Sequence, residues 1–254
     1  MIRLKTPQEI ERIRAAGKLA RKVIDVVREV AEPGMTTGEL EEIAIQIITE
    51  QGGRSPCLGY APPGHPPYPA WTCISVNEEI VHAIPGSRVL KAGDIVTMDC
   101  CVELNGYIAD TAYTFGVGPL SPQAERLLRV TEEALYKGIE KAKPGNRLGD
   151  IGHAIQKFVE AHGYSVVREL HGHGVGLRMH ESEIDVPNYG RPGTGLRLEC
   201  GMTFAIEPMV NMGRKEIRTL EDGWTVVTAD GKLSAHFEHT VAIVPHGAEI
   251  LTQG

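Results

Sequence analysis

An internal repeat constrains this chain more than any other feature. The segment Pro33-Gly34-Met35-Thr36-Thr37-Gly38-Glu39-Leu40 returns as Pro144-Gly145-Asn146-Arg147-Leu148-Gly149-Asp150-Ile151, an offset of 111 residues (144 less 33). At the same offset Gly52 meets Gly163, so each Pro-Gly turn is followed by a helix-length segment closed by glycine. Further on, Gly93-Asp94-Ile95-Val96-Thr97-Met98-Asp99 has a counterpart in Gly201-Met202-Thr203-Phe204-Ala205-Ile206-Glu207: glycine, a mainly apolar strand, then an acid. A Pro-Gly turn before a helix is common by itself, but acid-ended strands in the same order are not. The pattern predicts two related halves, about 7–120 and 121–250, each helix, helix, strands, within one domain spanning 1–254. No linker divides them, and the Pro-rich stretch Ala61 to Ala70 lies inside the first half.

Local signals fill in the plan. Thr6 and Glu9 make a capping box, Pro7 suits the first helical position, and Ile10, Ile13, Leu19, Val23, Val26 and Val30 recur near helical spacing, predicting a helix over 7–31. Thr36 and Glu39 cap a second helix with apolar residues Leu40, Ile43, Ile47 and Ile48, ending at Gly52-Gly53. Leu127 to Ala142 supplies a helix before the second Pro-Gly turn. The net charge of −7, with both signs dispersed, offers no basic patch for phosphates, so no nucleic acid is expected. No apolar run reaches the roughly 20 residues that cross a bilayer, and the first residues lack a signal-peptide core, which predicts a cytoplasmic protein without a membrane partner. Five cysteines, odd in number and without a CxxC pair, fit a reducing compartment and exclude a zinc ribbon.

Four acids call for a chemical explanation. The apolar run Ile95-Val96-Thr97-Met98 draws Asp99 out of water, where an unpaired carboxylate is costly and a cation removes the cost. Asp110 follows after Asn105-Gly106, a hairpin signal that folds the strand Tyr107 to Phe115 back beside the first, so the two aspartates can face each other. In the second half, Glu207 ends Phe204-Ala205-Ile206, and Glu238 leads into the strand Val241 to Val244. The stretch Leu170 to Glu181 carries His171, His173 and His180, with glycine on both sides of His173. Four carboxylates and one imidazole suit two divalent ions such as Mn, Fe or Co, bridged at about 3.5–4 Å. Taken singly, each has an ordinary reading: Asp99 or Asp110 as turn formers, Glu207 as a loop residue, Glu238 in an exposed group with His236 and His239. Their joint placement at strand ends of paired halves favours the site.

From Lys5-Thr6-Pro7 to about Val244 the chain resembles the type I methionine aminopeptidases, in the stretches GDIVTMD, GYIADTA, HGHGVG, FAIEP and FEHT. The resemblance implies an α/β (α+β) class, the pita-bread fold: two pseudo-symmetric halves of helices packed on a curved antiparallel sheet. It implies two divalent ions (Co, Mn, Fe or Zn) on Asp99, Asp110, His173, Glu207 and Glu238. The implied reaction is removal of the N-terminal methionine from nascent proteins and peptides, preferring a small second residue, by a metal-activated water with Glu207 as proton shuttle. His180 would polarise the scissile carbonyl and His82 hold an amide near the cut, completing a catalytic set of His82, His180 and Glu207. Substrate-binding positions fall on Tyr60, Cys73, His82, His180 and Trp224, with Tyr68 in place of a second pocket tyrosine. Asn77 and Ser234 resemble positions that hold a monovalent cation in some members.

The implied partners are nascent polypeptide N-termini and, transiently, the ribosome; the chain is expected to be a monomer of the short bacterial or organellar form. Two departures stand out: Met179 where many bacterial members carry Phe, and a longer, more proline-rich Ala61 to Trp71. A proline-specific peptidase of the same fold and a non-catalytic binder remain rivals. The first usually carries an extra N-terminal domain, and the second has lost ligands that are present here.

Overall fold

The computed structural model describes residues 2–253; Met1 and Gly254, the ends of the expected 1–254 domain, lie outside the described residues. Helix α1 (Pro7–Val30) starts at the Thr6–Glu9 capping box, and α2 (Thr37–Glu50) at the Thr36–Glu39 box, as the residue types dictate. The chain then forms β1 (Cys73–Val76), β2 (Glu79–Val81), β3 (Ile95–Leu104) and β4 (Tyr107–Gly116) before α3 (Pro122–Ile139) and α4 (Leu148–Ala161). It continues through β5 (Ser165–Val166), β6 (Gly172–Gly174), β7 (Glu181–Val186), β8 (Thr203–Ile206) and β9 (Met209–Asn211). The last strands are β10 (Ile217–Thr219), β11 (Val226–Thr228), β12 (Ser234–His236), β13 (Glu238–Val244) and β14 (Gly247–Ile250).

Eight strands make one antiparallel sheet in the order β1-β3-β4-β13-β8-β6-β7, with β14 beside β13. Strands of both halves therefore meet at the β4–β13 seam. Smaller sheets, β10-β11-β2 and β12-β9-β5, flank it. On β3, Val96, Met98, Cys100 and Val102 pack under Leu19, Val23 and Ile24 of α1 and Leu40 and Ile48 of α2. In the other half Leu127 and Leu135 of α3 and Ile151, Ile155 and Val159 of α4 cover Phe204, Ile206, Val241 and Ile243. The alternate residues of β3, Thr97, Asp99 and Cys101, turn to the opposite face. The architecture is the curved antiparallel sheet with helices expected for the pita-bread fold.

The repeat is visible as a matched ladder. Gly34 N–H donates to Leu90 O as Gly145 N–H does to Leu198 O, and Gly38 N–H donates to Gly86 O as Gly149 N–H does to Thr194 O. One detail departs from the sequence reading: β3 does not end at Asp99 but runs on to Leu104, so that Asp99 is mid-strand. Both faces of β3 are covered, one by helices and one by the site, and its apolar run carried no alternation from which to read its end. The Asn105-Gly106 hairpin forms as expected, with Leu104 opposite Tyr107. Helix α3 begins at Pro122, capped by Ser121, earlier than the stretch from Leu127. Among the described residues no helix is long and apolar enough to cross a membrane.

Glu41 of α2 is a buried carboxylate that ties the helix to the chain entering β1. It accepts from Trp71 N–H at 2.6 Å and from the Thr72 hydroxyl. Burial raises its carboxyl above the ordinary range, against those hydrogen bonds. A raised folded value means that the group's stabilising contribution is present below the unfolded pKa and is lost as pH rises through the folded one. Glu41→Gln, which keeps an acceptor for Trp71 and turns a donor toward Thr72, should therefore equal or exceed the parent in stability near pH 8, with the difference shrinking toward pH 4. Glu41→Ala should lose about 1–3 kcal/mol by leaving the buried donors unpaired. Urea titrations at the two pH values check both outcomes.

Candidate metal centre

Five adjacent strands of the large sheet each bring one candidate ligand to the face away from the helices. Asp99 on β3 stands opposite Ala112 on β4, which stands opposite Glu238 at the start of β13. Asp110 lies two residues before Ala112 on β4 and so shares its face, diagonal to Asp99. Glu207 directly follows β8, and His173 is the middle residue of β6. Gly172 lets β6 lie this close to β8, because a Cβ there would fall 2.3 Å from Ala205 O. The Gly-His-Gly pattern is thus a packing requirement that aims the imidazole inward.

The ligand atoms of Asp110, His173 and Glu238 lie within 4.8 Å of one another. His173 Nε2 is 3.8 Å from Asp110 Oδ2 and 3.7 Å from Glu207 Oε1. His173 Nδ1 lies 3.1 Å from Gly174 O, to which it donates; that fixes the proton on Nδ1 and leaves the Nε2 lone pair facing the acids. Asp110 Oδ1, Glu207 Oε1 and Glu238 Oε1 are buried without a hydrogen-bond partner. Burial, and then the charge of Asp110, pushes Asp99, Glu207 and Glu238 well above the ordinary carboxylate range; burial raises Asp110 itself. His173 is held down to about 3 by burial and by His180. Unpaired buried carboxylate oxygens facing a neutral imidazole are what a divalent cation satisfies, so the residues present fit a metal.

These residues form the floor of a cavity of about 330 Å³. The expected substrate positions line it as well: Tyr60, Cys73, His82, His180 and Trp224. Cys73 is there because β1 pairs with β3 so that Cys73 sits opposite Asp99. The exposed His180 precedes β7, its ring 4.0 Å from that of His173 and 5.1 Å from that of Tyr60. His82 follows β2 with φ 59°, a left-handed backbone that non-glycine residues rarely adopt and that concentrates at functional sites. Its ring stands 6.4 Å from Trp224, edge to face, and burial with His180 nearby brings it down to about 4.

Tyr68 is buried against Trp224, and its single hydroxyl proton is shared between Thr72 O and Ala83 O, each 3.1 Å away, so its ring faces the pocket. The Pro-rich stretch is pinned over the mouth: Trp224 Nε1 donates to Pro66 O at 3.0 Å, and His65 Nδ1 lies 3.0 Å from Gly223 O. Met179 Sδ lies 3.7 Å from Cys57 Sγ on the wall. Asn77 and Ser234 are joined through their backbones, Ser234 N–H donating to Asn77 O, but neither lines this cavity.

Residues 11–245 match the family described as metallopeptidase family M24. The chain belongs to that family. This M24 metallopeptidase is 54% identical over 252 residues to the methionine aminopeptidase of Clostridium perfringens, with 99% of each chain covered. Its structure superposes on that of the methionine aminopeptidase from Rickettsia prowazekii with a TM-score of 0.96, at 42% identity and full coverage of both chains. The prolidase of Pyrococcus horikoshii shares the fold, with a TM-score of 0.77 at 22% identity, this chain covering 63% of that one.

Three features in or beside the M24 enzyme's site were not singled out by sequence. His65, in the Pro-rich stretch, contacts Trp224. The buried Lys5 pairs with Glu181, next to His180. His236 is 1% exposed, with neither ring nitrogen partnered, and its Nε2 lies 4.0 Å from Glu207 Oε2. Burial, then His82, lowers it to about 3. His236 had a readable signal: it is two residues before Glu238, and residues i and i+2 of extended chain share a face.

Proposed function

We propose that this metallopeptidase removes the N-terminal methionine from nascent proteins and peptides, preferring a small second residue. The observation that carries the reading is the union of a carboxylate-imidazole floor with a pocket walled by Cys73, Cys57, Met179, Tyr68 and Trp224. An unbranched thioether packs well against sulfur and aromatic surfaces of this kind. We infer two divalent ions, drawn from Co, Mn, Fe and Zn, held by Asp99, Asp110, His173, Glu207 and Glu238. Such ions lower the pKa of a water and polarise the scissile carbonyl.

The chain's own residues supply the rest. Glu207 accepts the proton of the attacking water and returns it to the leaving amine. His180, at the mouth, donates to the carbonyl oxygen as negative charge develops there. His82, fixed by its left-handed backbone beside Trp224, holds the amide on the far side of the cut. The free α-amine of a substrate would be a ligand for an ion held there, which favours chain ends over interior peptide bonds. We infer a cytoplasmic monomer that meets nascent chains as they emerge, with transient ribosome contact.

The test uses metal-stripped protein with Met-Gly-Met-Met, Met-Leu-Gly and Ala-Pro-Gly, with and without added Mn, Fe, Co or Zn, beside His180→Ala. Metal-dependent methionine release from the first peptide only, largely lost in the variant, is the expected result. Cleavage at Ala-Pro moves the enzyme to the proline-specific branch. Trp224→Phe removes the bond to Pro66 and loosens the mouth; KM for Met-Gly-Met-Met should rise about fivefold with kcat little changed, a loss of about 1 kcal/mol of uniform binding.

A further inference from the structure

Glu207 presents its two carboxylate oxygens to different neighbours. Oε1 lies 3.7 Å from His173 Nε2, among the metal-binding groups, and has no hydrogen-bond partner. Oε2 lies 4.0 Å from Nε2 of His236. The backbone of Glu207 is held separately, its carbonyl accepting from the fully buried Asn188 side chain at 3.0 Å. The backbone of His236 is held as firmly: its amide N–H donates to Thr114 Oγ1 at 3.0 Å, the Thr114 hydroxyl donates back to His236 O at 2.7 Å, and β12 pairs it with Met209.

A buried imidazole with both nitrogens unpaired is costly and rarely tolerated without a purpose. The group that its Nε2 faces is the second oxygen, Oε2, of the one carboxylate that must both bind metal and handle a proton. A small rotation of either side chain closes 4.0 Å to hydrogen-bond length.

We propose that His236 is a positioning residue, whose Nε2–H holds Glu207 Oε2 so that Oε1 is presented to the metal and the carboxylate plane is fixed for proton transfer. The kinetic part rests on the reading of Glu207 as the proton-handling group. The metal-binding part needs no substrate. Partners that orient a metal ligand typically change metal affinity by about 10–100-fold when removed.

The test compares the parent with His236→Phe, His236→Gln and His236→Asn. A glutamine amide nitrogen reaches the place of Nε2, whereas the shorter asparagine amide does not. Isothermal titration of metal-free protein with Mn²⁺ should show affinity about tenfold or more weaker in His236→Phe and His236→Asn, and restored to within about threefold in His236→Gln. At saturating Mn²⁺, kcat on Met-Gly-Met-Met should fall about 10²-fold in the Phe and Asn variants with KM little changed, and recover in the Gln variant. Parental Mn²⁺ affinity in the Phe variant overturns the proposal. So does a Gln variant no better than the Asn variant, which would make the ring's packing the whole of its role. If the Phe variant does not fold, the Gln and Asn pair decides alone. A parent that binds Mn²⁺ but leaves methionine peptides intact would refute the proposed activity, and the affinity series would still judge His236.

Discussion

Asp110→Asn should stop the metal-dependent reaction while making the metal-free protein more stable. Asp110 is the shared neighbour of the site: its charge bears on Asp99, Glu207 and Glu238, and its Oδ1 is buried without a partner. Without a cation, burial opposes that charge more than the neighbouring Asp99, Cys101 and Thr111 groups favour it, and it repels the other acids. An amide of the same shape relieves about 1–3 kcal/mol of this, worth about 2–12 °C in the thermal midpoint of a chain this long. With a cation, the same charge is what binds it. Parent protein at Mn²⁺ about 100-fold above its Kd should gain about 2.7 kcal/mol, or about 5–10 °C, and the variant should gain almost none. Methionine release should fall on the order of 10³-fold, since a metal contributes several kcal/mol to the transition state. Thermal melts with EDTA and with Mn²⁺ check the two signs. A variant less stable than the parent in EDTA would mean that Asp110 is satisfied by the protein itself.

Lys5→Met should be among the most destabilising changes at any charged residue outside the site. The Lys5 ammonium is fully buried and pairs with Glu181, whose other oxygen accepts from Leu177 N–H at 3.0 Å. Its backbone N–H is also fixed, to Gly201 O at 2.7 Å. Removing one member of a buried pair strands the other charge, at about 3–5 kcal/mol, or about 6–20 °C. Adding Glu181→Gln should recover part of that loss, because the double variant no longer buries a lone carboxylate. Glu181 follows His180 directly, so Lys5→Met should also lower kcat on methionine peptides beyond what the unfolded fraction explains. Calorimetry with kinetics at a temperature where all variants are folded separates the two effects. Additive single losses in the double variant would show that the two side chains do not act as a pair.

The helix starts were legible because capping is local: Thr6 with Glu9 and Thr36 with Glu39 need only three residues of chain. The Asn105-Gly106 hairpin was legible for the same reason. The extent of β3 was not, because strands covered on both faces lose the alternation that marks an end. The Lys5–Glu181 pair spans 176 residues and leaves no local pattern. His236 shares the extended segment of Glu238 and could have been read by alternation, yet its relation to Glu207 depends on β12 lying over β4, through the two bonds to Thr114.

The sequence alone determined the two-halved plan, the starts of the first two helices and the residue types available for metal chemistry, because repeats, caps and turns are written within a few residues of each other. Only the tertiary structure decided which oxygen faces which nitrogen. The order β3-β4-β13-β8-β6 brings five residues spread over 140 positions onto one face, from Asp99 to Glu238 (238 less 99, inclusive). Strand order is set by long-range burial of two apolar faces rather than by any local signal, and so the geometry that makes four costly carboxylates useful emerges only when the sheet is assembled.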